Sequence, residues 1–324
     1  MAVLSDPAGI SGGPGGKGGK GGAGRPGGAG GAARRSRVRG TRRAGRPPRL
    51  RRMPVHLTLV LVCLCWLVPI LGLLVSSLRT PFDITSSGWW HALLPPWRFT
   101  LDNYTQVLTT GGLGRAFVNS LIITIPAVTV MTAIGSVAAY TFARMRFAGR
   151  GTVFIVIIAL LVVPAQMALA PLLRLYNDVH LAGTFAGIWL VHVGFALPFA
   201  IYLLRNFMAG LPEEIFEAAA IDGASAPQVF LRVALPVSAP ALASFAIFQF
   251  LWVWNDLLLA LIFLGGDPSV APLTVTVSNL VNANTGQGWQ LLTAAAFVSM
   301  AFPLLIFLTL QRYFVRGLLA GAVK

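Results

Sequence analysis

The side chains that could carry chemistry are few in this chain and unevenly placed. Four of the ten acidic residues, Glu213, Glu214, Glu217 and Asp222, fall in one polar stretch, LPEEIFEAAAIDGASAPQVFLRVALPVSAPAL, Leu211 to Leu242, flanked on both sides by strongly apolar runs. Asp256 is the one acid inside a long apolar run, and His192 and Gln166 are single polar groups in two others. An enzyme working within a membrane needs a Ser/His or His/Glu constellation at matching depth; His192 has no neighbouring acid in its own run, so no catalytic residue is assigned. Cys63 and Cys65 are the two cysteines. Two positions apart on a helix they point roughly 200° away from each other, which leaves neither a disulfide nor a shared metal site geometrically reasonable. No metal site is assigned. What needs explaining is the Leu211 stretch and Asp256.

Composition sets the surroundings of these residues. The 324 residues are 56% hydrophobic and 11% charged, with a mean hydropathy of +0.74, whereas soluble domains carry about a quarter charged residues. The chain reads as a membrane protein. Its formal charge of +15 suggests nucleic acid only until the charge is located: residues 1–54 hold 13 of the 25 Lys/Arg and one acid. That Gly/Arg/Pro-rich tail has almost no large apolar side chain to bury against its backbone entropy, so it is expected to be disordered. One reading makes it a solvated cytosolic extension that also fixes topology. A nucleic-acid arm is disfavoured, because no aromatics interleave the basic residues and no reader module follows. The third reading is an untranslated start, since Met53 directly precedes the first apolar run. The GGPGGKGG within the tail lacks the first glycine of a phosphate loop, has Gly after the Lys and follows no strand, so it is no P-loop.

Six apolar segments are long enough to cross a hydrocarbon core that takes about 20 helical residues: 55–78, 116–142, 152–173, 184–204, 240–264 and 291–310. The first follows an Arg-rich flank, as a signal peptide does, but it is too long and no small-x-small site closes it; it is read as a retained anchor. With the N-terminus inside, the inner connections carry Arg144, Arg146, Arg150, Arg205, Arg232, Arg312, Arg316 and Lys324, against Arg79, Arg98, Arg115 and Arg174 outside. That excess puts both termini, and the Leu211 stretch, in the cytoplasm. Five of the spans carry an interior proline, Pro69, Pro126, Pro164, Pro198 or Pro303. Each removes a backbone hydrogen bond and tends to kink its helix. Together they lean toward a bundle built around a path, although membrane helices also simply carry more proline.

The Leu211 stretch has the grammar of two short helices. Pro212 suits a first turn, and Glu213 and Glu214 sit where the positive end of the helix dipole favours carboxylates. Gly223 supplies a stop, Ser225 caps a second helix through APQVFLRVA, and Pro236 ends it. At 1.5 Å per residue the first helix spans about 16 Å, too short to cross a bilayer, so it lies on the cytoplasmic face. Ala218, Ala219 and Ala220 make a small-residue patch, Ile215 and Phe216 an apolar anchor, and Glu217 and Asp222 a charged rim. Such a surface suits a plug in a partner's groove. The alternative is a surface helix packed only on its own bundle.

EAAAIDG, Glu217 to Gly223, followed after nine residues by VALP, Val233 to Pro236, resembles the EAA signature of the permease subunits of ATP-binding-cassette (ABC) importers. Both spacings are kept, and the one departure is Val233 where Ile is usual. NYTQVL (103–108), NSLIIT (119–124), AAYTFARMRFAGR (138–150), RNFMAGLPEEIFEAAAIDGAS (205–225), WNDLLLALIFL (254–264) and QRYFVRGLLAGAVK (311–324) are similar, in order and spacing, to the carbohydrate-uptake, MalG-like branch. The resemblance covers about residues 55–324. It implies an all-α membrane protein with six transmembrane helices of the type I importer permease kind, a cytoplasmic coupling loop at 205–239, and a tail, 1–54, outside the family pattern. It further implies a multi-pass protein of a bacterial or archaeal cell membrane that works with a second permease subunit, two cytoplasmic ABC ATPase subunits, an extracytoplasmic solute-binding protein and a sugar-type substrate. Glu217, Ala218, Ala219, Asp222, Gly223, Leu235 and Pro236 would then couple this chain to the ATPase. No cofactor is expected in this chain, because the partners bind the ATP, and nucleic acid is not expected as a partner.

Two further features bear on a translocation path. A charge at mid-bilayer costs on the order of 2.5–3.5 kcal/mol on insertion scales; Asp256 lies about four residues, roughly 6 Å, outward of its span's midpoint, which relieves part of that. One reading has Trp254, Asn255 and Asp256 facing an outer cavity, with polar groups for sugar hydroxyls and an aromatic for a sugar face. The other makes Asp256 a hydrogen-bonded strut between spans, and His192 and Gln166 interhelical bonds of the same kind. The outer loops 79–115 and 265–290, with Trp89, Trp90, Trp97, Trp289, Asn279, Asn282, Asn284 and Gln287, are placed to meet a binding protein, or the tryptophans anchor in the interface. A secondary transporter or channel is the rival class. It needs coupling or gating charges buried among the spans, and one acid and no basic residue lie well inside them.

Overall fold

The computed structural model describes residues 53–109, 111–280 and 288–322, with side chains as far as Gln311. The tail before Met53 lies outside the described residues, as do Asn282, Asn284 and Gln287 in the connection before the last helix. The chain divides into residues 1–56, of which only the first turn of one helix is described, and residues 57–324. In chain order come α1 (Met53–Ser77), α2 (Pro81–Ser86), a 3₁₀ turn (Trp89–Leu93), α3 (Asp102–Thr109), α4 (Leu113–Arg144), α5 (Arg150–Leu160), α6 (Ala165–Asp178) and α7 (Phe185–Ala209). The polar stretch forms α8 (Glu214–Ile221) and α9 (Ala226–Val229), continued by a π-turn (Phe230–Ala234) and α10 (Leu235–Val237). Then follow α11 (Ala239–Trp254), α12 (Leu258–Phe263), α13 (Leu273–Ser278) and α14 (Trp289–Ala322). Every described element is helical.

Four of the expected spans are single helices: α1, α4, α7 and α14 are each long and apolar enough to cross a membrane. The expected span 152–173 is instead broken, α5 turning by 96° into α6. Pro164 is the cause: in a continuing helix its ring would collide with the carbonyl four residues back, on Leu160, and α5 ends at that residue. Shorter i→i−3 bonds close the end, Leu161 N–H to Ile158 O (3.0 Å), Val162 to Ala159 (3.1 Å) and Val163 to Leu160 (3.3 Å). The expected span 240–264 also differs. The segment Ala226–Val237 meets α11 at a 73° bend, and α11 stops at Trp254, with residues 255–257 between it and α12. Counting each bent pair as one span brings the total to six.

The other interior prolines stay within continuous helices, and two of the carbonyls they free have found indole donors. Pro126 frees the carbonyl of Ile122, which accepts Trp189 Nε1–H at 2.8 Å. Pro303 frees that of Ser299, which accepts Trp254 Nε1–H at 3.4 Å. Away from water a freed carbonyl needs such an internal partner.

The centre of the bundle is the α4–α7 pair. Gly135 approaches α7 so closely that a β-carbon there would stand 2.7 Å from Ala200 Cβ. Met131, Ala139, Ile188, Val191, Leu204 and Phe245 close around this contact in the main core. Half of the apolar stretch of α7 is buried, while α1 beyond residue 56 is exposed along nearly its whole length. At the C-terminal end of α1, Asn103 Nδ2 donates to the carbonyls of Ser77 and Arg79, each at 2.8 Å. The buried guanidinium of Arg79 donates to the Ser87 and Asp83 carbonyls at 2.9 and 2.6 Å. These bonds tie α1, α2 and α3 into one knot.

Candidate functional site

The polar stretch is built nearly as its residues dictate. Pro212 lies one residue before the N-cap, Glu213, rather than in the first turn of α8, while Glu214 and Glu217 occupy that turn. The helix ends in a Schellman motif: Ala224 N–H reaches Ala219 O and Gly223 N–H reaches Ala220 O, both at 3.0 Å, with Gly223 at φ +72°. A β-carbon on Gly223 would meet nothing within 4 Å, so the need for glycine here is one of backbone conformation alone. Ser225 opens the second helix, its backbone N–H and its hydroxyl both donating to Gln228 Oε1, at 2.8 and 3.0 Å.

Pro236 does not end that helix. A π-turn, closed by Leu235 N–H to Phe230 O, widens the backbone just before the proline, where a regular helix would press the ring against the Arg232 carbonyl. The helix therefore runs on to Val237. Leu235 is half-buried and Pro236 exposed.

The phase of α8 separates its residues into two faces. Phe216 and Ala219, with Ala224 just beyond, pack against the main core, and Ile215 is half-buried. Glu214, Glu217, Ala218 and Asp222 are exposed, and Ile221 is 86% exposed. This corrects the expected surface. Phe216 and Ala219 anchor the helix to its own bundle, because residues three apart share a face and the core claims that one. The apolar side chain offered outward is Ile221, which the sequence reading overlooked. Its signal was spacing, three residues after Ala218 and four after Glu217.

A second group of polar residues sits where α11 breaks. Asp256 caps α12, its Oδ1 accepting Leu259 N–H at 3.3 Å and its Oδ2 accepting Ala260 N–H at 3.0 Å. Its carbonyl accepts the Thr274 hydroxyl of α13 at 2.6 Å. His192, 1% exposed on α7, places Nε2 at 3.9 Å from Asp256 Oδ2 and lies edge-on to Trp252 at 5.3 Å. His192 and Asp256 come from different helices, so neither run of sequence foretells their meeting. Asn255 is exposed, with Nδ2 donating to Leu251 O at 2.8 Å.

Trp254 differs from its expected place on a cavity wall. It is 2% exposed, stacked on Phe250 at 5.5 Å and enclosed by Phe302 at 5.0 Å and Phe117 at 5.6 Å. Both ring faces are occupied and its N–H serves Ser299, so it presents no surface to a sugar. Gln166 is exposed at the start of α6, and Trp90, Trp97, Asn279 and Trp289, the last opening α14, are exposed as well, with Trp89 half-buried.

These features define a polytopic helical membrane protein that carries a short, outward-facing polar helix between two of its membrane-crossing segments. Residues 131–319 match the model of the family described as binding-protein-dependent transport system inner membrane component, and the chain belongs to that family. It is 52% identical over 276 residues to the osmoprotective compounds uptake permease protein GgtD of Synechocystis sp., covering 84% of this chain and 92% of the relative. With the alpha-glucoside transport system permease protein AglG of Rhizobium meliloti it shares 54% identity over 238 residues, 72% of this chain and 62% of that one. A chain in the crystal structure of a bacterial ABC transporter involved in import of the acidic polysaccharide alginate has the same fold, with a TM-score of 0.71 at 22% identity, over 82% of this chain and 97% of that chain. The family implied by the EAA-like spacing is the family found.

Proposed function

We propose that this chain is a permease subunit of an ATP-driven, binding-protein-dependent importer of a sugar or sugar derivative, and that α8 is the joint through which a cytoplasmic ATPase moves the spans. The observation that carries the joint is the outward face of α8: Ala218 permits close approach, Ile221 offers an apolar knob, and Glu214, Glu217 and Asp222 rim it, a helix-in-groove surface. Gly223 fixes where that face ends. The domain that does this work is 55–324, with 205–239 as its coupling loop and 1–54 as an extension. With no phosphate-binding motif in the chain, the hydrolysis belongs to two ATPase subunits, and a second permease and an external binding protein complete the path. The eight-to-four excess of basic residues in the inner connections supports termini in the cytoplasm. The name of the alpha-glucoside transport relative makes α-glucosides the first substrates to try.

The test is reconstitution. The purified chain alone should hydrolyse no ATP and move no sugar, and uptake of an α-glucoside into vesicles should require the assembled transporter, ATP and loaded binding protein. Sugar flux through this chain alone would overturn the reading in favour of a secondary transporter.

A further inference from the structure

Arg144 is the last residue of α4, and its side chain reaches two other elements at once. Nη2 donates to Met208 O at 2.8 Å and to Leu211 O at 2.7 Å, near the carboxyl end of α7 where helix carbonyls lack partners within the helix. The guanidinium carbon stands 4.0 Å from the ring centroid of Phe216 in α8, within cation–π range. Arg144 Nε is buried without a partner among the described residues, so the group is held in place although one of its donors goes unused. Phe216 is in turn packed on the main core. One side chain thus joins the end of α4, the end of α7 and the inward face of α8. It brackets the turn 210–213, the only covalent link between α7 and α8.

We infer that Arg144 is the positioning residue that makes α8 and the α4–α7 pair move as one body, so that force applied to the outward face of α8 reaches the spans instead of bending the turn at 210–213. The inference rests on the proposed role of α8 as the ATPase joint. A second observation supports it: α4 and α7 pack so closely that a β-carbon on Gly135 would stand 2.7 Å from Ala200 Cβ, so a link between the C-terminal ends of these helices and α8 acts on a tightly packed pair. Lysine at 144 would keep a charge and bonds to the carbonyls, but it has no plane to lay on the ring.

The test uses the assembled transporter, purified through a tag on this chain and reconstituted with its binding protein, and reads the ATP hydrolysed per substrate transported. Arg144→Ala should raise that ratio by on the order of threefold or more, with Arg144→Lys between it and the parent. Phe216→Leu should raise it and Phe216→Tyr, which keeps the ring, should not. The pair Arg144→Ala with Phe216→Leu should be no worse than Arg144→Ala alone. Crosslinking from a cysteine at Ala218 to the ATPase separates the two readings. Crosslinks that form while Arg144→Ala and Phe216→Leu keep the parental ratio would overturn the inference and leave the joint standing; their absence in the parent would overturn the joint itself. If Arg144→Ala fails to assemble, Phe216→Leu decides alone: a parental ratio there reduces Arg144 to an anchor of α7.

Discussion

The chain interrupts its apolar helices with polar residues at two places, and finishes the two interruptions differently. After α8 the stop is made by backbone alone: Gly223 takes φ +72°, two N–H groups fold back to Ala219 and Ala220, and Asp222, Gly223 and Ser225 are exposed. After α11 the break is held by a side chain: Asp256 accepts the N–H groups of Leu259 and Ala260 that open α12, and its carbonyl accepts the Thr274 hydroxyl. The difference follows from the surroundings. At an aqueous surface water meets whatever a helix end leaves unsatisfied, so glycine suffices; inside an apolar bundle each freed group needs a fixed protein partner. The first end is open to a partner's approach, and the second is pinned to two neighbouring helices.

Breaking the open end should have the largest effect. A left-handed backbone costs an L-residue roughly 1–2 kcal/mol, more when β-branched, so Gly223→Val should abolish most uptake while the protein remains in the membrane at normal abundance. Gly223→Asn, which tolerates positive φ, should retain most of it. Uptake assays with membrane immunoblots check both; equal loss in the two would show that size rather than conformation matters at 223.

The pinned end should respond in stability before transport. Asp256→Ala removes both cap bonds and should destabilise the chain by about 1–2 kcal/mol, the range for lost helix caps, read as a lowered midpoint in thermal melts of the detergent-purified protein. Asp256→Asn keeps an acceptor and should lose less. If Asp256→Ala melts like the parent while transport fails, the carboxylate serves the path rather than the helix.

The two faces of α8 sharpen the comparison further. Ala219→Leu presses into the core and should cost about 1–3 kcal/mol by overpacking, whereas Ile221→Asp should leave the melting midpoint unchanged and weaken ATPase association instead. Co-purification of the ATPase with each variant separates them. Smallest of all should be the effect of deleting residues 2–52, which ought to leave uptake within about twofold of the parent, since a segment with so few large apolar side chains has little to bury; a deleted protein that assembles but cannot transport would give the tail a role.

Much of this protein is legible from local pattern. The long apolar runs, the stop of α8, the glycine at 223 and the family itself follow from residue type and spacing, because a helix end is set by a few consecutive residues and an apolar run by about 20. The tertiary structure decided the rest. Ala219 and Phe216 face the bundle and Ile221 faces out because the core occupies one side of α8, which no count along the chain reveals. Pro164 breaks its span outright, while Pro126 and Pro303 remain in theirs, with Trp189 and Trp254 reaching the carbonyls they free. Those indoles, like His192 beside Asp256, come from distant parts of the chain. Whether a polar group inside an apolar bundle becomes a strut, a cap or a path depends on which partner lies within about 3 Å of it, and only packing brings that partner there.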